Sequence, residues 1–203
     1  MKKAIKRVVI CFMLAALMWC GTLLADRERL NRELIRLHIV ANSDSNEDQW
    51  RKLLVRDAIV EYLRLELKHV TDVELAKQYI QEKLPQLKEI AEKTLYLAGC
   101  EETVEVSMAQ EAFDRRDYDT FSLPAGVYEA LRIVIGEGEG ENWWCVVFPG
   151  LCVPATTEGF DTVAVGAGFP EPLTGALSRK EGYSVRFLLL DALGRMQICW
   201  LKP

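Results

Sequence analysis

The chain has 203 residues, half of them hydrophobic, with 25 basic and 30 acidic side chains and a formal net charge of −5. That length and apolar content suit one compact domain with a sizeable core. The acidic balance argues against nucleic-acid binding, which needs a cationic surface to displace phosphate counterions, and against adhesion to anionic lipid.

At the amino terminus Lys2, Lys3, Lys6 and Arg7 precede an apolar run from Val8 to Leu24, after which Asp26-Arg27-Glu28-Arg29 follows at once. A basic segment ahead of an apolar one is read by the export machinery, with the positive flank held in the cytoplasm. The run lies near the lower limit of about 17–25 residues for a membrane helix, so residues 1–25 are expected to be a signal peptide or a signal anchor. Cleavage after Ala25 is the expected outcome, although Leu23 occupies a position where a small side chain is preferred. Removal of residues 1–25 takes away four basic and no acidic groups, moving the net charge to −9. Residues 26–203 then form the extracytoplasmic domain.

Leu34 to Ala41 reads as a strand, with Ile35, Leu37, Ile39 and Ala41 on one face and Leu34, Arg36, His38 and Val40 on the other. Ser45 is a natural N-cap, with Glu47 and Asp48 in the first turn at the positive end of the helix dipole. The helix it opens runs to about Leu67, and Trp50, Leu54, Ala58, Tyr62 and Leu65 form the expected buried stripe. A second helix starts from a capping box of Thr71 and Glu74 and continues through Ile80, Leu84, Leu87 and Ile90. Pro85 should kink or split it, and Gly99 should stop it. From there the period changes to two: Thr103–Met108, Tyr128–Ile135, Trp143–Phe148 and Ser184–Leu190 have strand composition. The strands at Tyr128 and Trp143 are expected to form a hairpin around the glycine-rich connection Gly136–Asn142. Pro149 to Arg179 reads as an irregular loop, long enough to suggest a use. The predicted fold is α+β: a single domain with a mainly antiparallel sheet of about five strands, packed with two consecutive helices after the first strand.

The residues offer little catalytic chemistry. His38, Asp44, Asp48 and His69 have acid/base or metal-ligand types but no metal-binding spacing, and the strand-to-cap position accounts for the acids. Ser43 and Ser45 read as turn and cap residues, since no Gly-x-Ser-x-Gly elbow surrounds them. The Glu137, Glu139 and Glu141 loop lacks a calcium-loop pattern. No catalytic residue, metal or cofactor is therefore assigned. Asn42, Ser43 and Asp44 at the strand exit, and Arg56 and Asp57 on the polar flank of the helix, have identities that packing alone does not demand. They are partner-contact candidates, the alternative being local turn and ion-pair roles. Trp143 and Trp144 alternate across the sheet, so one should be core and the other a candidate interface anchor. Of the cysteines beyond the export segment, Cys145 and Cys152 are the best local disulfide pair, with a Phe148-Pro149-Gly150 bend between them.

Two blocks are more specific than composition. Arg36-Leu37-His38-Ile39-Val40-Ala41-Asn42-Ser43-Asp44-Ser45, running on through Asp48-Gln49 to Val55-Arg56-Asp57, and Asn142-Trp143-Trp144-Cys145-Val146-Val147-Phe148-Pro149-Gly150-Leu151-Cys152 resemble stage II sporulation protein R of endospore-forming bacteria. Leu123-Pro124-Ala125-Gly126, Tyr128-Glu129-Ala130-Leu131-Arg132 and the Gly136–Gly140 loop extend the likeness over roughly Leu34 to Phe148. Asn46 and Gly150 depart from it, where proline is usual. The resemblance implies a secreted signalling protein rather than an enzyme, released from the forespore into the space between forespore and mother cell. Its implied partner is a membrane-embedded aspartic protease that matures a mother-cell sigma factor. The competing reading is an extracytoplasmic cell-wall hydrolase using His38 and its acidic neighbours.

Overall fold

The computed structural model describes residues 2–118, 121–149, 169, 171–178 and 184–201. In chain order the elements are α1 (Lys2–Glu33), β1 (Ile35–Val40), α2 (Asn46–Glu66), α3 (Val73–Glu82) and α4 (Leu84–Leu97). Then follow β2 (Val104–Phe113), β3 (Arg116–Asp117), β4 (Ser122–Leu123), β5 (Gly126–Ile135), β6 (Asn142–Phe148), α5 (Glu171–Leu177) and α6 (Val185–Leu201). The architecture is α+β. A four-stranded sheet in the order β2-β5-β1-β6 is accompanied by a two-stranded sheet of β3 and β4.

Helices cover both faces of the main sheet. Ile35, Leu37 and Ile39 of β1, Leu131, Ile133 and Ile135 of β5, and Cys145 and Val147 of β6 point to one side. There they pack with Val55, Ile59 and Leu63 of α2, Ala76 and Ile80 of α3, and Leu87, Ala91 and Leu95 of α4. The alternate residues Tyr128, Ala130 and Val146 point to the other side, where Leu30 of α1, Leu173 and Leu177 of α5, and Phe187 and Leu190 of α6 meet them. The period of two along each strand thus divides the apolar residues between two cores.

α1 has the length and hydropathy to cross a membrane, and its apolar stretch is exposed. Its last third belongs to the domain: Leu23, Asp26 and Leu30 are buried, and Asp26 pairs with Arg186 of α6. An apolar helix of this kind is compatible with an export signal or an anchor.

Several local expectations stand. Ser45 caps α2, its side chain accepting from the Asp48 amide. The long second helix is split, with Pro85 in the first turn of α4, where a missing N–H is harmless. Gly99 takes a φ of +70° beyond α4, and the Cys100 amide returns to the Leu95 carbonyl, closing the helix in the left-handed conformation that glycine accepts without strain.

Others are corrected. The buried stripe of α2 is Asp48, Lys52, Val55, Ile59 and Leu63, while Trp50 is 54% and Leu65 57% exposed. The capping network described below holds Asp48 and Lys52 inward, and this rotates the helix away from the phase that the apolar residues suggest. α3 is capped by Asp72, not Thr71: the Asp72 side chain accepts from the Leu75 amide. Ser184–Leu190 is not a fifth strand but the start of α6. Its inward residues Phe187, Leu190 and Gly194 recur at helical spacing, and apart from Val185 it lacks β-branched residues. Part of the expected Pro149–Arg179 loop is helix α5; most of the rest lies outside the described residues.

The largest correction concerns β5 and β6. They are not a hairpin, because β1 lies between them, parallel to β5 and antiparallel to β6. The connection Gly136–Glu141 therefore arches over the carboxyl end of β1.

Candidate functional site

The carboxyl end of β1 is where the first sequence block does its structural work. The loop passing over it is held by backbone and side-chain bonds from Ala41 to Asp44. The Glu137 amide donates to Asn42 Oδ1 at 3.0 Å, and the Glu141 amide to Asp44 Oδ1 at 2.7 Å. The Glu139 and Gly140 amides donate to the Asn42 and Ala41 carbonyls at 3.1 and 2.9 Å. From α2, the Lys52 ammonium donates to the Glu141 carbonyl at 2.8 Å and to Gln49 Oε1 at 2.6 Å. Glycines are required for so close an arch. A Cβ at Gly136 would fall 2.2 Å from Asn42 Oδ1, and one at Gly140 2.3 Å from the Ser43 carbonyl oxygen.

Asp48 is the hub beneath this arch. It accepts from Ser43 Oγ at 2.6 Å and Asn42 Nδ2 at 3.1 Å through one oxygen, and from Arg51 Nη1 at 3.0 Å through the other. The Ser43 hydrogen bond, partly opposed by desolvation and reinforced by Asn42, Arg51 and Ser45, holds the Asp48 carboxyl below its ordinary pKa. Desolvation pulls the Lys52 ammonium below its usual value, against the attraction of Glu141 and Asp44. Asn42, Ser43 and Asp44 thus have internal partners.

Arg56 and Asp57 pair with each other at 2.7 Å, and the Arg56 guanidinium lies 4.4 Å over the ring of Trp143. Asp57 is exposed, with its side chain 65% accessible. The two tryptophans do point to opposite faces. Trp143 packs against the core shared with α2 to α4, whereas Trp144 stacks on His38 with ring centroids 5.5 Å apart. Both are half-buried, so neither is wholly core nor wholly free.

His38 sits on the second face of the sheet. Its Nδ1 is 2.8 Å from Glu111 Oε2 and its Nε2 2.7 Å from Asn142 Oδ1, so both ring nitrogens have partners. Glu111 also faces Arg132 at 3.5 Å, and Arg116 stacks 3.7 Å over Trp144. Sequence reasoning missed Glu111, Arg116, Arg132 and the burial of Arg36. Arg36 and His38 share a strand face by the period of two, which was visible; their partners come from β2, β5 and β6 and from Tyr118 just beyond β3, through a strand order that no local pattern announces. Asp44 and Asp48 lie in the arch and not beside His38. Among the described residues no group of three His, Cys, Asp or Glu side chains could hold a metal ion. Their free cysteines are Cys11, Cys20, Cys100 and Cys199. Cys145 is buried on β6, and Cys152 lies outside the described residues.

Residues 31–158 match the family model described as Stage II sporulation protein R (spore_II_R). A curated relative, Stage II sporulation protein R of Bacillus subtilis (strain 168), is 42% identical over 120 residues, covering 59% of this chain and 54% of that protein. The aligned region thus spans about half the length of that relative. No solved structure matches the chain.

Proposed function

The chain belongs to the stage II sporulation protein R family, which gives it a role in sporulation, and on that premise we propose that it is an exported, non-catalytic signal. It acts in the space between forespore and mother cell. There it engages the extracytoplasmic side of a membrane-embedded aspartic protease, which then processes the precursor of a mother-cell sigma factor. Activation proceeds by population shift, which requires tighter binding to the active form of the protease than to the inactive one.

The observation that carries this reading is the use to which the signature residues are put. Asn42, Ser43, Asp44 and Asp48 brace an arch of backbone, an arrangement suited to presenting a rigid surface. The exported location rests on α1. For the contact itself, Arg56, Asp57 and Trp143 are proposed together with Trp50, which shares the outward side of α2 with Asp57 and is 54% exposed. Tryptophan and arginine are favoured interface anchors. Trp144 is the second aromatic candidate, and Asn42 to Asp44 act through the shape of the arch. A disulfide between Cys145 and Cys152 belongs to the same proposal, since export delivers the chain to an oxidising compartment.

Co-expression with the protease and the sigma-factor precursor in a non-sporulating host tests this directly. Precursor processing that depends on the exported chain is expected; processing indifferent to its presence would end the proposal. The hydrolase reading has one observation in its favour, the orientation of His38 by Glu111. Purified chain incubated with sacculi separates the two. Release of muropeptides that disappears in His38→Ala would favour hydrolysis.

A further inference from the structure

Arg36 is the largest side chain that the described fold buries completely, 0% exposed in the middle of the sheet. A guanidinium cannot shed its charge in a protein, and a cation taken out of water is costly unless an anion and further hydrogen bonds compensate it. Here the compensation is incomplete. Nη2 donates to the Tyr118 hydroxyl at 3.1 Å, and Cζ lies 4.0 Å over the Phe113 ring and 5.2 Å from that of Tyr128. Two aromatic faces and a neutral hydroxyl attract a cation but carry no net charge. Nε and Nη1 have no hydrogen-bond partner. Among the described residues no carboxylate meets Arg36: Glu111 serves His38 and Arg132, Asp191 serves the Ala125 amide and Arg195, and Asp26 serves Arg186.

From these donors we infer that the second face of the sheet binds a small oxyanion, a carboxylate or a phosphate, on the guanidinium of Arg36. The fork geometry is available. Nη2 carries two hydrogens, so after one goes to Tyr118 the other still pairs with Nε or with Nη1 to present two parallel donors, the arrangement that matches an oxyanion. The surroundings add positive charge: Arg116, stacked over Trp144 on the same side of the sheet, enters no ion pair among the described residues. The site lies apart from the arch over β1 and is independent of the proposed signalling activity.

The test is thermal unfolding of the purified full-length chain in non-ionic detergent, titrated separately with sodium phosphate and sodium acetate at ionic strength held constant with sodium chloride. A saturable rise in Tm is expected with one of the two, amounting to roughly 5–11 °C at a hundredfold excess over half-saturation; which anion acts tells phosphate from carboxylate. Arg36→Lys, which keeps the charge but removes the fork, should abolish the saturable rise, while the distant surface variant Arg64→Ala should retain it. Phe113→Leu removes one compensating ring without adding bulk, and should lower the half-saturation concentration severalfold. It keeps the inference testable if Arg36→Lys fails to fold. No saturable response to either anion, a response surviving in Arg36→Lys, or an unchanged half-saturation in Phe113→Leu would each overturn the inference.

Discussion

Asp48 shows how much a single side chain can organise here. Its carboxylate accepts hydrogen bonds from Ser43, Asn42 and Arg51, and its own amide donates to the cap residue Ser45. Because its folded-state pKa is depressed, the stabilisation is fully present above the unfolded carboxylate value of about 3.9 and is lost as pH falls through the folded value. Asp48→Asn should therefore be less stable than the parent at neutral pH by about 1–3 kcal/mol and show a flatter loss of stability in acid. Urea melts between pH 2 and 7 check this; parallel acid limbs would show that Asp48 is not the group responsible. Arg56 belongs at the same scale. Its pair with the exposed Asp57 and its stack on Trp143 are each worth about 1 kcal/mol at a partly exposed site. Arg56→Ala is accordingly expected to melt within a few degrees of the parent while losing protease activation in the co-expression assay. A folded variant that activates normally would remove Arg56 from the contact surface and direct attention to the Glu137–Asn142 loop.

At the scale of elements, the crossover above β1 and the seat of α6 are the critical joints. α6 lies flush against the entry to β5: a Cβ at Gly194 would fall 1.6 Å from the Ala125 carbonyl oxygen, and Asp191 accepts from the Ala125 amide at 2.9 Å. Backbone cannot yield as a side-chain tip can, so Gly194→Ala should cost about 1–3 kcal/mol or more by overpacking, read as a lowered denaturation midpoint. An unchanged midpoint would mean that the helix shifts freely on the sheet. The carboxyl end of β6 carries a covalent prediction. If Cys145 and Cys152 are bridged, the bond should stabilise the exported protein by about 2–4 kcal/mol. Mass spectrometry of alkylated, unreduced protein decides it, and carbamidomethyl on both residues would defeat the pairing.

For the whole molecule, the relation between α1 and the domain decides how the signal is delivered. The apolar part of α1 ahead of Leu23 is exposed, while Leu23 and Leu30 join the second core and Asp26 is buried in its pair with Arg186. Deleting Met1 to Ala25 removes Leu23 from the second core but keeps Leu30 and the Asp26–Arg186 pair, so the domain should still fold, yet signalling should be abolished because the chain no longer reaches the proposed receptor face. Precursor processing by a strictly cytoplasmic version equal to that of the parent would rule out this mechanism.

Periodicity and capping chemistry were enough to locate β1, α2, the split at Pro85 and the stop at Gly99, since those features depend on residues within a turn or two of one another. The order of the signature residues likewise identified the family without any coordinates. Other features lay beyond local reading. Trp50 faces outward because Lys52 is drawn to the Glu141 carbonyl, 89 residues away, while Asp48 turns in to the strand exit at Asn42 and Ser43; Ser184–Leu190 is helical because its buried residues meet the sheet at helical spacing. β5 and β6 are separated because β1, from the other end of the domain, enters between them. The sequence determined which segments are strand or helix wherever the deciding bonds are short-range. Tertiary structure alone decided strand order, the phase of α2 and the enclosure of Arg36, because each is set by contacts between segments that the chain itself does not bring close.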